Sequence, residues 1–330
     1  MKKLFILFFV STPFLISAQT TYTILDFSTH YNAQIEIEQG FENHEFKKGS
    51  FSIVNTTTDK QMLFIESDEL IIETDLTTKE KTTSTTLPYD RQNFLIFQDF
   101  NFDGLKDIAY MDGRNSCYGG PSYQIYLQEH QAFVYSPEFT RLSYEYCGMF
   151  QIAEKTKTIH TMTKSGCCWH QFSEFKVQNN IPIAIKISEE SMNPNGILLD
   201  YVEKERVNNQ MIETKYSTLP DSGFDIQTIF SFQFKNSKKM NLVHAFSNQL
   251  YYVFTDKEDK VELFYDEDFI YHKDENTLTF TRKNTRYQIS ATGITVQTPS
   301  KNIPMNADGE TIEGELASLL SLTLDNLRVE

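Results

Sequence analysis

The stretch Asp99-Phe-Asn-Phe-Asp-Gly-Leu-Lys-Asp107 decides how this chain is read. Oxygen-bearing side chains stand at loop positions one, three, five and nine (Asp99, Asn101, Asp103 and Asp107), with Gly104 at position six. The alternation turns the four side chains towards one small space. Glycine at the sixth position permits a backbone turn that other residues resist. Leu105, at position seven, adds its backbone carbonyl as a fifth oxygen. Three carboxylates and a carboxamide are hard ligands, so the loop predicts a Ca²⁺ site made by Asp99, Asn101, Asp103, Leu105 and Asp107. Its flanks, Asn93-Phe-Leu-Ile-Phe97 and Ile108-Ala-Tyr-Met111, are short apolar runs that read as strands. The expectation is a β-hairpin pinned at its tip by an ion whose binding adds to folding stability.

Composition extends that reading to the whole chain. Aromatic residues make up 14%, with 27 Phe and 17 Tyr, and long Ala/Leu/Glu/Lys runs are missing, as in packed sheets. The expected class is mainly β: antiparallel sheets forming a sandwich or partial barrel, then a second, smaller β domain. Alternating segments such as Gln34-Ile-Glu-Ile-Glu38 place strands at 22–27, 34–38, 51–54, 61–65 and 69–74. Further strands are expected at 123–127, in a hairpin of 147–153 with 157–164, and at 181–187. Residues 77–86 read as a solvated loop or hairpin tip, and 188–223 as a polar region. Ser217-Thr-Leu-Pro-Asp-Ser-Gly223 carries turn chemistry and marks the expected join between domains 19–215 and 222–330. Strands then recur at 229–234, 250–254, 261–265, 277–282, 287–290 and 294–297, with one short helix over 310–320. Asn306-Ala-Asp-Gly309 holds only half the ligands of the calcium loop, so a many-bladed propeller is not expected.

Residues 1–18 read as a secretory signal: Lys2 and Lys3, an apolar run over 4–16, then Ser17-Ala18. The run is too short to span a bilayer, and no insertion is expected after its removal. Export places the protein in the periplasm or outside the cell. Losing the two lysines takes the net charge from −15 to −17, which argues against nucleic acid and would steer a basic protein towards the surface. The four cysteines, Cys117, Cys147, Cys167 and Cys168, favour disulfides in an oxidising compartment. The hairpin turning at 154–157 would bring Cys147 towards Cys167 and leave Cys117 for Cys168. The opposite assignment, 117–167 with 147–168, is close behind, and a bond between neighbours 167 and 168 is the least favoured.

Seven histidines are scattered without metal spacing, and nucleophile-elbow, phosphate-loop and dinucleotide motifs are missing. No catalytic residue is assigned, and the expectation is a protein that is not an enzyme. The second segment of interest is Ser165-Gly-Cys-Cys-Trp-His170, with the chain's one Trp. A rigid aromatic on a disulfide-stapled loop is a good anchor, because contact removes little side-chain freedom. Ser165, Gly166, Trp169 and His170 are therefore the expected partner-binding residues.

The calcium loop departs from an EF-hand, which closes with Glu at position twelve and lies between helices; here Tyr110 stands there and the flanks read as strands. It resembles instead the calcium hairpins of FG-GAP and integrin-type β repeats. Asn101-Phe-Asp-Gly104 and the strand pattern after it resemble an exported bacterial β-protein family that includes a type IV secretion-associated periplasmic lysozyme inhibitor. Ser165-Gly166-x-x-Trp169 is similar to the S-G-x-x-Y loop such inhibitors place in a lysozyme cleft, with Trp for Tyr and two cysteines between. The likeness runs over about residues 50–180. It implies a calcium-binding, non-catalytic protein whose partner is a basic lysozyme-like protein. A surface module binding glycan or matrix is the alternative, and an exported hydrolase the third.

Overall fold

The computed structural model describes residues 20–72, 84–89, 92–220, 226–245 and 248–330. The expected signal segment 1–18, residues 73–74 and 77–83, and 221–223 of the expected join lie outside them. The chain is mainly β, in five sheets, and among the described residues none closes into a barrel. Nearly all pairings are antiparallel; Thr20–Leu25 with Ser84–Pro88 and Phe269–His272 with Leu327–Val329 are parallel.

The first sheet runs Gln61–Leu70, Lys47–Asn55, Tyr31–Ile37, Thr20–Leu25, Ser84–Pro88. Residues 84–86, expected in a solvated loop, thus form part of an edge strand. Alternation works as the sequence implies: Ala33, Ile35 and Ile37 are buried while Gln34 and Glu36 are exposed. A second sheet orders Leu95–Gln98, Asp107–Met111, Tyr123–Glu129 and Ala132–Tyr135. All five residues of Asp107–Met111 are buried. The two sheets share one core, in which Phe51 stacks on Tyr110 at 5.0 Å and meets Phe94 edge-on at 5.3 Å. Each such wholly buried side chain contributes about 1.5–3 kcal/mol.

Helix Pro137–Glu145 was not expected, although its signal is legible in Ser136-Pro-Glu. Ser136 caps it by accepting from the Phe139 N–H at 3.4 Å, and proline fits the first helical turn. Its hydroxyls serve the neighbouring sheet: Thr140 Oγ1 accepts from Ile125 N–H (2.9 Å) and Ser143 Oγ from Tyr123 N–H (2.6 Å).

Gln151–Ala153, Thr158–Ser165, Trp169–Gln178, Ile181–Met192, Leu199–Val207 and Gln210–Thr218 follow as a six-stranded meander. Residues 188–218, expected as a polar region, are therefore mostly strand. Cross-strand pairs hold them where an apolar face is lacking: Lys204 reaches Glu189 at 2.8 Å and Glu213 at 3.9 Å, and Tyr201 stacks on Tyr216 at 5.2 Å.

Two further sheets follow. One orders Val261–Tyr265, Gln249–Thr255, Lys239–Ala245, Gln227–Gln233 and Glu313–Gly314; the other runs from Asn302–Asn306 to Leu327–Val329. Phe230, Phe232, Tyr252, Phe269, Tyr271 and Phe280 fill one core. Phe280 stacks between Tyr265 (4.4 Å) and Tyr287 (4.7 Å). The helix expected over 310–320 is replaced by two 3₁₀ turns, Gly309–Thr311 and Leu316–Ser321, separated by the strand Glu313–Gly314. Gly314 is the reason: it has φ +74°, and a Cβ there would lie 2.1 Å from the Ile229 carbonyl oxygen.

The chain divides into two compact units, residues 1–163 with 174–184, and residues 164–173 with 185–330. This differs from the expected division into 19–215 and 222–330, because the long strands Thr158–Ser165, Trp169–Gln178 and Ile181–Met192 each contribute to both units.

The disulfides correct both favoured pairings: Cys117 bonds Cys147, and Cys167 bonds its neighbour Cys168. The expected hairpin does form, and Cys147 N–H donates to the Met162 carbonyl at 2.8 Å. Strand Thr158–Ser165 then runs on past that level. Its three residues past Met162 carry the chain roughly 10 Å further along, at about 3.3 Å per residue, before the turn that holds Cys167 and Cys168, outside disulfide reach of Cys147. Cys117, in the turn Cys117–Gly119, has its Cα 4.8 Å from that of Cys147.

Candidate functional site: an acidic loop and a disulfide-closed hairpin tip

Leu95–Gln98 and Asp107–Met111 pair in register, Leu95 opposite Tyr110 and Gln98 opposite Asp107. The expected hairpin is present, and residues 99–106 form its connection. Gly104 adopts φ +93° and Phe102 φ +63°. Phe100 points inward, fully buried, and meets Phe150 edge-on at 5.4 Å.

Short side chains organise the turn by accepting its own N–H groups. Asp99 Oδ1 accepts from Asp103 N–H (3.2 Å) and Oδ2 from Gly104 N–H (2.9 Å). Asn101 Oδ1 accepts from Asp103 N–H (3.2 Å), and Asp103 Oδ1 from Leu105 N–H (2.7 Å). Asn101 Nδ2 donates at 3.0 Å to both Asp103 Oδ2 and Asn180 Oδ1. Leu105 is exposed.

Asp107 differs from the others. It is fully buried, with Oδ2 accepting from Phe100 N–H (2.7 Å) and Oδ1 from Gln128 N–H (2.9 Å). Burial pushes its carboxyl up to about 7; the two N–H groups oppose that rise, and the negative charges of Asp103 and Asp99 add to it. A buried carboxylate whose charged neighbours share its sign is a place where a cation would relieve both desolvation and repulsion. Each carboxylate oxygen has two lone pairs, so accepting one N–H does not prevent ligation. The donor set therefore fits a hard cation chemically. Among the described residues, however, no three His, Cys, Asp or Glu side chains are arranged as a metal-holding group. The oxygens serve the turn first.

Asn180 and Gln128 belong to this site and were not anticipated. Asn180 lies in the turn between Trp169–Gln178 and Ile181–Met192, at φ +61°, where an Asn-Asn pair is the only signal. Its contact with Asn101 spans 79 positions of sequence, so no local pattern could announce it.

The second candidate, Ser165–His170, is a hairpin tip. Ser165 ends one strand, Trp169 begins the next, and 166–168 make the turn, with Gly166 at φ +63°. Ser165, Gly166, Cys167 and Cys168 are exposed; Trp169 and His170 are half-buried. The Cys168 carbonyl accepts from Met192 N–H at 3.2 Å, and His170 Nδ1 lies 3.8 Å from Glu190 Oε1. The tip is thus docked on the neighbouring strand on one side and open on the other. The structure keeps the two candidates apart in kind. The loop is an internally satisfied turn over a buried carboxylate, and the tip is an exposed, covalently closed bend.

A cleft of about 730 Å³ in the second unit holds His272, Thr279, Arg286, Arg328 and Glu330. His272 Nδ1 lies 3.6 Å from Glu330 Oε2, while Glu330 Oε1 also pairs with Arg328 Nε at 2.9 Å.

Comparison with known proteins gives no matching family model and no matching curated protein. Among solved structures, a Xanthomonas type IV secretion system related protein is similar over 56% of this chain and 90% of its own, at 18% identity and TM-score 0.44. The WD40 domain of Toxoplasma gondii coronin is similar over 88% of this chain and 70% of its own, at 10% identity and TM-score 0.20.

Proposed function

We propose that this is an exported, calcium-stabilised, non-catalytic binding protein that meets its partner with the tip Ser165–His170. The partner class is a basic lysozyme-like protein: Trp169 would occupy a sugar subsite, and Ser165 would hydrogen-bond near the catalytic carboxylates. The observation that carries the reading is the tip itself, an exposed turn closed by a bond between adjacent cysteines and presenting the only Trp. Such a surface is ordered before contact, so binding costs it little conformational entropy. The net charge, −15 for the full sequence and −17 without Lys2 and Lys3, favours encounter with a basic partner at low salt. Two disulfides and no free cysteine among the described residues fit an oxidising compartment. No helix among those residues is long and apolar enough to cross a membrane.

Trp169→Ala is expected to abolish inhibition of a basic lysozyme while leaving the melting temperature unchanged. An unchanged inhibition constant removes the tip as the site. Glycan binding without any effect on lysozyme turnover would instead make the protein an envelope or surface module.

The calcium part has its own test. After chelator dialysis, excess Ca²⁺ is expected to raise the melting temperature, with about 2.7 kcal/mol of stabilisation when free ion stands at 100 times Kd. Asp103→Ala should melt in calcium as the wild type does in chelator. Equal melting of both proteins under both conditions leaves the loop as a turn only.

A further inference from the structure

The two disulfides close very different loops. Cys117–Cys147 ties residues 30 apart, whereas Cys167–Cys168 ties adjacent residues. Cross-link stabilisation through the unfolded chain grows with the loop closed, so the adjacent bond contributes almost nothing of that kind. Its surroundings differ as well. Cys117 and Cys147 are half-buried beside Tyr146, Gly148 and Ser116, while Cys167 and Cys168 are both exposed at a hairpin tip, where a Cβ added at Gly166 would meet nothing within 4 Å. Thiol–disulfide exchange needs in-line access of a thiolate to one sulfur, and the tip offers that access.

We propose that Cys167–Cys168 is a reversible thiol-exchange site, opened by a dithiol reductant while Cys117–Cys147 stays closed, and that its state sets the conformation of the turn before Trp169. The exchange balances as two steps. A thiolate of the reductant attacks one sulfur, the Cys167–Cys168 bond breaks, a mixed disulfide forms, and the released thiolate takes a proton. The reductant's second thiol then attacks the mixed disulfide, leaving two cysteine thiols and an oxidised, cyclic reductant. Two electrons and two protons have moved to the protein. A disulfide oxidant such as glutathione disulfide reverses both steps. On closure the final attack is intramolecular, because the two sulfurs belong to adjacent residues. Opening removes the covalent constraint on 166–168, and Trp169 follows directly in the chain.

The single Trp supplies the readout, since a neighbouring disulfide quenches indole fluorescence. The native full chain is titrated with dithiothreitol without denaturant, trapped with N-ethylmaleimide and mapped by peptide mass. Cys167 and Cys168 should be alkylated at a reductant concentration about 10-fold or more below that needed for Cys117 and Cys147, as exposure of the target sulfur dictates. Trp169 fluorescence should rise over the same range and fall again on adding glutathione disulfide. Opening of both disulfides together, or of Cys117–Cys147 first, overturns the proposal. So does a fluorescence rise of equal size in Cys167→Ser/Cys168→Ser. The assay involves neither calcium nor a partner, so failure of the binding reading leaves its outcome unaffected.

Discussion

Asp107→Ala is expected to destabilise the protein by about 2–6 kcal/mol, because it strips the acceptor from two buried N–H groups at about 1–3 kcal/mol each. Those groups are Phe100 N–H and Gln128 N–H, which hold the foot of the loop and the adjacent strand on one carboxylate. Urea midpoints measure the loss, with the slope of the transition checked to be unchanged. The same carboxyl gives a pH signature in the chelated protein. Its folded value, pushed up to about 7, exceeds its ordinary value of 3.8, so the folded state holds the proton more tightly than the unfolded chain. The stability this supplies is fully present below about pH 4 and is lost as pH rises towards 7, up to about 4 kcal/mol at 1.36 kcal/mol per pH unit. Asp107→Asn has no such proton, and the wild-type minus variant difference isolates the effect. Excess calcium should cancel it, since the ion binds the charged form. A flat difference profile in chelator, or an Asp107→Ala protein as stable as wild type, would remove Asp107 from this role.

The second large effect is covalent. Cys117→Ser/Cys147→Ser should cost about 3–4 kcal/mol, the loop-closure value for a separation of 30 residues. Cys167→Ser/Cys168→Ser should cost about 1 kcal/mol or less, because the loop it closes is minimal. Denaturant midpoints of the two double variants side by side decide the matter. Equal losses would show that the adjacent bond carries structural weight that its separation does not explain. The helix adds to the first cost, since Cys147 follows it and is also tied to Thr158–Ser165 by its N–H.

The fold is legible where the signal is local and repeats with the period of a strand. Gln34-Ile-Glu-Ile-Glu38 buries one face and wets the other, and Leu95–Gln98 with Asp107–Met111 forms the hairpin its flanks announce. It is not legible where pairing replaces patterning. Leu199–Val207 and Gln210–Thr218 carry few apolar residues and hold together through partners such as Lys204 with Glu189 and Tyr201 with Tyr216. Those partners lie on other strands, so a window of sequence shows only polarity. The helix Pro137–Glu145 is legible only locally, in its cap Ser136 and first-turn proline, within a chain whose composition as a whole favours strand.

By itself the sequence determined the β class, the turn at Gly104 and the arrangement of short acceptors around it. These follow from side-chain size, backbone freedom and alternation, which act within a few residues. Only the tertiary structure decided that Asp107, alone of the three carboxylates, is buried, because that depends on Gln128 and on the strands packed around it. It alone brought Asn180 to Asn101. It also decided which cysteines meet, since a sulfur bonds whatever lies within its reach of about 5–6 Å between Cα atoms. The length of Thr158–Ser165 carried Cys167 and Cys168 past Cys147, and left them to each other.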